Sequence, residues 1–105
     1  MAISINQLAS GQLAASKGTL YTTPSSTQAI IKSITLVNTD TVARTVNLYI
    51  SKGTSRRIIP KTLSLDAGDT FIFDQILTLE ATHLIQGDAS VASVVDYVIS
   101  GVQNA

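Results

Sequence analysis

Cysteine and tryptophan are both missing from this 105-residue chain, histidine occurs once and proline twice. Without cysteine there is no disulfide to staple the fold and no thiolate to serve as nucleophile or soft metal ligand. Charge is scarce as well: Asp, Glu, Lys and Arg make up 13% of the residues, about half the usual share of a soluble domain. What charge there is cancels, seven basic residues against seven acidic, which leaves no net field to attract nucleic acid or an anionic membrane. No apolar run approaches the about 20 residues that span a bilayer. Residues 1–15 lack the basic start and continuous apolar stretch of a secretory signal. Synthesis in the cytosol without export is the simplest account of these absences.

The apolar fraction is 45%, enough for the core of one domain, which at this length buries roughly two thirds of its unfolded surface. Serine and threonine fill many polar positions, and threonine suits a pleated, half-buried surface. A surface poor in Lys and Glu has little to repel a protein neighbour. It points to assembly, against the equal alternative of an ordinary β-domain that uses Thr in place of Lys.

Strand signals are dense. Residues 30–37 are β-rich, with Ile30, Ile34 and Leu36 on one parity and Ile31 and Val37 on the other; this is a central strand touched on both sides, or one with a bulge near Lys32. A turn at residues 38–41 leads into Thr45 to Ile50, where Val46, Leu48 and Ile50 alternate inward against Thr45, Asn47 and Tyr49. Residues 51–55 form a loop tip, residues 56–65 a strand interrupted at Pro60, and residues 66–69 a tight turn in which Gly68 takes positive φ. Extended structure resumes at residues 70–73 and 76–79. Residues 80–83 suit one helical turn, and residues 84–89 lead through a bend at Gly87 and Asp88 to a last strand at residues 93–100.

About 7–8 strands at such spacings predict an all-β fold, an antiparallel β-sandwich of jelly-roll or Greek-key type. Its predicted core is Ile34, Leu36, Val46, Leu48, Ile50, Leu65, Phe71, Phe73, Leu79, Val95, Tyr97 and Ile99. Residues 18–105 form the single sandwich domain. Residues 1–17 are either a short first strand at residues 12–15 or an arm that orders against a partner.

No residue set announces chemistry. His83 has no nucleophile-elbow sequence to serve, and its neighbours Glu80 and Thr82 fit a surface turn. Asp66, Asp69 and Asp74 cluster about one turn, but their spacing is not that of a calcium loop, and aspartates beside glycine are ordinary turn chemistry. The chain is therefore read as no enzyme, with no catalytic residue, metal or cofactor, and no small-molecule substrate. Lys52, Arg56, Arg57 and Lys61 form the one basic cluster, suited to docking on an acidic protein surface or to protecting an edge strand. No aromatic stacking platform adjoins it, which argues against nucleic acid. Only Tyr21 and Tyr49 remain as candidates for a sugar platform, which argues against a high-affinity one and leaves a polar one open.

Four pieces carry a family resemblance: Leu20-Tyr21-Thr22 with Pro24, the strand Gln28-Ala29 through Ile34 to Asn38, Ala67-Gly68-Asp69-Thr70, and the closing Ile99-Ser100-Gly101-Val102. In this order, over residues 12–102, the chain resembles small β-sandwich structural modules of tailed-phage virions. That resemblance implies an antiparallel sandwich, frequently a homotrimer, working as a head decoration or cement protein or as a tail or fibre module. The length of this chain favours decoration. The implied partners are further copies of the chain and the major capsid protein, and the implied place is the head surface of a virion assembled in the host cytoplasm. Candidate contact residues are Ile3, Ile5 and Leu8 in the N-terminal segment, with Lys52, Arg56, Arg57 and Lys61. The alternative is a tail-tip, baseplate or fibre module for receptor or glycan binding.

Overall fold

Alternation of apolar and polar residues keeps this chain extended almost throughout. A computed structural model describes residues 3–104, with side chains from residue 8 onwards, and contains no helix among them. The strands are β1 (Ile3–Gln12), β2 (Gly18–Thr22), β3 (Gln28–Asn38), β4 (Arg44–Ser51), β5 (Ser55–Arg57), β6 (Leu63–Leu65), β7 (Thr70–Phe73), β8 (Leu77–Leu79), β9 (Leu84–Ala89) and β10 (Val95–Asn104). Pro60 falls in the break between β5 and β6, which run one after the other along β4. In the same way β7 and β8 run along β3. With each pair taken as one broken strand, the ten strands become eight segments.

All pairings are antiparallel. Sheet I has the order β1-β10-β3 with β7 and β8 at its edge; sheet II has the order β2-β9-β4 with β5 and β6 at its edge. First pairs with last (β1 with β10), second with second-last (β2 with β9), and so inward to β4 with β5 and β6. The chain is thus one long antiparallel hairpin that is rolled up, the roll adding the pairs β10–β3 and β4–β9. That is the jelly roll. The Cα extents are 45 × 26 × 20 Å, so the thinnest dimension holds two sheets about 10 Å apart and no third layer.

Between the sheets lie nine of the twelve predicted core residues, all buried: Ile34, Leu36, Val46, Leu48, Leu65, Phe73, Leu79, Val95 and Ile99. The other three, Ile50, Phe71 and Tyr97, are partly buried and pack against that core. Leu13, Tyr21, Ala29, Ile31, Ile59, Ile85 and Ala89 complete it.

The mixed parity of β3 resolves into a bulge. Ala29 and Ile31 face inward, then Ile34, Leu36 and Asn38 do, so inward parity changes between Ile31 and Ile34. Opposite this step Ser100 pairs with Ser33 and Gly101 with Ile31, leaving Lys32 as the extra residue. Ile30 is consequently on the outer face. Gly101 is required here: a Cβ on it would lie 2.1 Å from the Ile30 carbonyl oxygen.

Four local expectations are corrected. The first strand is Ile3–Gln12 on β10 rather than residues 12–15. Residues 80–83 form a β-turn, not a helical turn, closed by the His83 N–H donating to the Glu80 carbonyl at 3.0 Å. Thr82 takes φ +69° in that turn, a value no helix contains. No bend occurs at Gly87 and Asp88, which lie within β9 because Asp88 is held opposite Asn47. The last strand runs on to Asn104 because β1 and β3 flank it on both sides.

One buried polar residue ties the sheets at this end. Asn38 closes β3 with its side chain fully buried. Its Nδ2 donates to the carbonyls of Val42 and Leu65 at 3.0 Å and of Asp66 at 3.2 Å, and its Oδ1 accepts from the Asp40 N–H at 3.0 Å. The backbone of Asn38 adds bonds to Asp69 and Gly68 in the turn where Gly68 adopts φ +73°. The turn after β3 is thereby fastened to the turn between β6 and β7.

Candidate partner-binding site

Strand alternation divides the basic cluster. Arg57 stands opposite Tyr49 in the β4–β5 pair and Arg56 opposite Ile50, so the adjacent arginines project to opposite sides of the edge strand. Arg57 lies over the outer face of sheet II. Its Nη1 donates to Asn47 Oδ1, and its guanidinium carbon is 5.0 Å from the Tyr49 ring centroid. Lys17, just ahead of β2, brings its Nζ to 4.5 Å from the same centroid. Each cation is favoured by the negative face of the ring.

Beneath the two cations the polar groups satisfy one another. Asn47 Nδ2 donates to Asp88 Oδ1 at 2.8 Å, and the Tyr49 hydroxyl donates to Asp88 Oδ2 at 3.1 Å. The Thr62 N–H donates to Asn47 Oδ1 at 2.9 Å, and the Ser55 hydroxyl donates to Gln86 Oε1. Tyr49 therefore faces outward, as alternation requires, yet is only 8% exposed. Burial, and secondarily the Asp88 carboxylate, push its phenol above the ordinary value of 10.0. Tyr21 is buried in the core, where its hydroxyl accepts from Gln103 Nε2 at 2.6 Å. Neither tyrosine is an exposed sugar-stacking surface.

Lys52, Arg56 and Lys61 are exposed along the β4–β5–β6 edge, with no side-chain hydrogen bond or ion pair among the described residues. Leu8 is half-buried and packs against the core. Ile3 and Ile5 lie on β1 by their backbone register with Asn104 and Val102, and their side chains lie outside the described ones. Sequence reading missed Lys17, which joins the basic group only through space.

Net neutrality conceals a division. The outer face and edge of sheet II carry Lys17, Lys52, Arg56, Arg57 and Lys61 against the single acid Asp88. Lys32 and Arg44 are the only basic residues elsewhere, against Asp40, Asp66, Asp69, Asp74, Glu80 and Asp96. One of those acids is paired: Arg44 Nη2 reaches Asp40 Oδ2 at 2.7 Å. The hydrogen bond from Arg44, then that from the Thr41 N–H, hold the Asp40 carboxyl below its ordinary value of 3.8.

His83 has a structural place. Its Nδ1 accepts from the Glu80 N–H at 3.1 Å, and its carbonyl accepts from the Thr23 N–H at 2.9 Å, fastening the β8–β9 turn to the end of β2. Around Asp66 and Asp69 the bonds are those of a turn: the Asp69 N–H donates to the Asp66 carbonyl, and the Thr70 N–H to Asp69 Oδ1, both at 2.9 Å.

Strand order and sheet composition define a jelly roll whose likeness extends to viral structures. The chain is similar to one in the acid-stable capsid structure of the Helicobacter pylori bacteriophage KHP30, with a TM-score of 0.53 and 14% identity over 97% of this chain and 92% of that one. It is also similar to a chain in the structure of infectious bursal disease virus, Gx strain, again with a TM-score of 0.53 and 14% identity. There the match covers 97% of this chain but only 32% of the viral one, so this chain spans about a third of that protein's length. At such identity the likeness is one of fold. The chain matches no protein-family model and no curated protein.

Proposed function

We propose that the chain is a virion structural protein that decorates a phage head, binding the major capsid protein as an oligomer and cementing the shell. The observation that carries this reading is the fold similarity, over 97% of this jelly-roll chain, to a capsid-structure chain of which 92% is covered. That phage chain is of similar length to this one, whereas in the bursal disease virus match the similar fold is part of a longer chain. The exposed Lys52, Arg56 and Lys61 supply a rim for an acidic shell surface, while Arg57 is fixed on Tyr49 on the other side of the edge strand. Each such contact is weak in water, but linked copies convert weak contacts into lasting attachment. The buried state of Tyr21 and Tyr49 speaks against the sugar-binding alternative.

The test is direct. Tagged protein is mixed with the parent particle and located by electron microscopy, and binding is measured by co-sedimentation at rising salt. Regular label over the head, lost with Lys52→Glu, Arg56→Glu and Lys61→Glu combined, is the expected result. Label confined to the tail, or none on any particle, would discard the proposal.

A further inference from the structure

The two outer faces of the sandwich differ in kind. On sheet II the outward side chains bond to one another and carry charge. On sheet I the outward positions read Asp96, Val98, Ser100 and Val102 on β10, and Ile30, Lys32, Ser33, Thr35 and Val37 on β3. Thr70 and Ile72 follow on β7, and Thr78 on β8. Ile72 is 58% exposed, Val98 39% and Ile30 38%, and Ile76 in the break at the sheet's edge is 64% exposed. Four of the six large apolar side chains that remain exposed among the described residues are thus on or beside this one face. Exposed apolar side chains gathered on one face mark an interaction site.

We infer that the outer face of sheet I is the contact between two copies of this chain, packed face to face about a two-fold axis. Three features point to a second copy. A face four strands wide and about ten residues long measures about 600 Å² at about 4.8 Å per strand and 3.3 Å per residue. That is close to the about 800 Å² each partner gives to a standard interface. Charges within the strands of this face are Lys32 and Asp96 alone, of opposite sign. They lie on either side of the row Val98–Thr35–Ile72 that forms the middle of the face. A two-fold axis in the plane of contact, crossing the strands near that row, sets Lys32 of each copy over Asp96 of the other. An isologous contact needs such self-complementarity. Asp96 is tethered by Gln12 Nε2 at 3.1 Å through Oδ1 alone, which leaves Oδ2 to meet the lysine.

This pairing belongs to the chain itself and stands or falls apart from the virion reading. It also leaves the basic rim of sheet II free for a different partner. Sedimentation equilibrium of the purified chain from low to high micromolar concentration is the test. A mass of twice 11.1 kDa is expected, with the dissociation constant raised at least about tenfold by Ile72→Asp or Val98→Asp. Circular dichroism confirms that each variant keeps its fold. Lys32→Glu and Asp96→Lys, both solvent-facing, supply a second arm: each alone weakens the pair and the two together restore it. A monomer throughout the range, a trimer, or a dimer indifferent to all four changes would overturn the inference.

Discussion

Replacing Asn38 by alanine is the sharpest test of how the two sheets are joined. The amide leaves behind the Leu65 carbonyl, which is fully buried, and three partners nearer the surface, the carbonyls of Val42 and Asp66 and the N–H of Asp40. An orphaned buried carbonyl costs about 1–3 kcal/mol, and each outer bond contributes about 0.5–1 kcal/mol. Asn38→Ala is therefore expected to lose about 2.5–6 kcal/mol, a large share of the about 5–15 kcal/mol that holds a domain together. At about 4 °C or more per kcal/mol for this size, the melting temperature falls by at least about 10 °C. Urea unfolding with an unchanged slope gives the free energy directly. Asn38→Asp sets a carboxyl against the same three carbonyl oxygens, so burial and repulsion raise its folded-state pKa. That variant is most stable below the ordinary carboxyl range and loses stability as pH rises toward the raised value. Thr39→Ala, which removes an exposed bond to the Val94 carbonyl, serves as the control and costs less than about 1 kcal/mol. A loss below about 1 kcal/mol for Asn38→Ala would refute the account of this staple.

Gly101→Ala forces a Cβ to 2.1 Å from the Ile30 carbonyl oxygen; calorimetry should show a loss of about 3 kcal/mol or more, because backbone and not a pliable side chain stands in the way. Thr23→Val removes a buried hydroxyl that has no hydrogen-bond partner among the described residues, so its melting temperature should hold or rise. The Asp40 carboxyl, held below 3.8 by Arg44 and the Thr41 N–H, contributes stability that is full above its unfolded value and lost as pH falls through the lower folded one. Titration by nuclear magnetic resonance should show that depression, and Arg44→Gln should bring the value back up.

Much of the sandwich was legible because its longer strands alternate cleanly. Val46, Leu48 and Leu65 announce the inner side of β4 and β6, and the disturbed parity about Lys32 announces the bulge that the register of β10 imposes. Strand count came out low because the breaks at Pro60 and at residues 74–76 each leave two short strands on one neighbour. Alternation puts Tyr49 on the outer face, as found, yet does not reveal its burial. Its cover comes from Arg57 on the neighbouring strand β5 and from Lys17, which is distant in sequence. Arg56 and Arg57 looked like one patch, and alternation at an edge strand separates them. What sequence alone withheld, the nesting of first strand with last, resides in pairings between remote segments that leave no local mark.

Nested pairing also sets a timetable. The innermost partners, β4 with β5 and β6, are adjacent in the chain, so they can meet while the ribosome is still at work. β1 waits for β10, and at about 5–20 residues per second that delay lasts about 5–20 s. Because β10 lies second in sheet I, between β1 and β3, the outer face of that sheet does not exist until the last strand has been made. A molecule that recognises this face meets only chains in which β10 has been made, and earlier ones are hidden from it by having nothing yet to show.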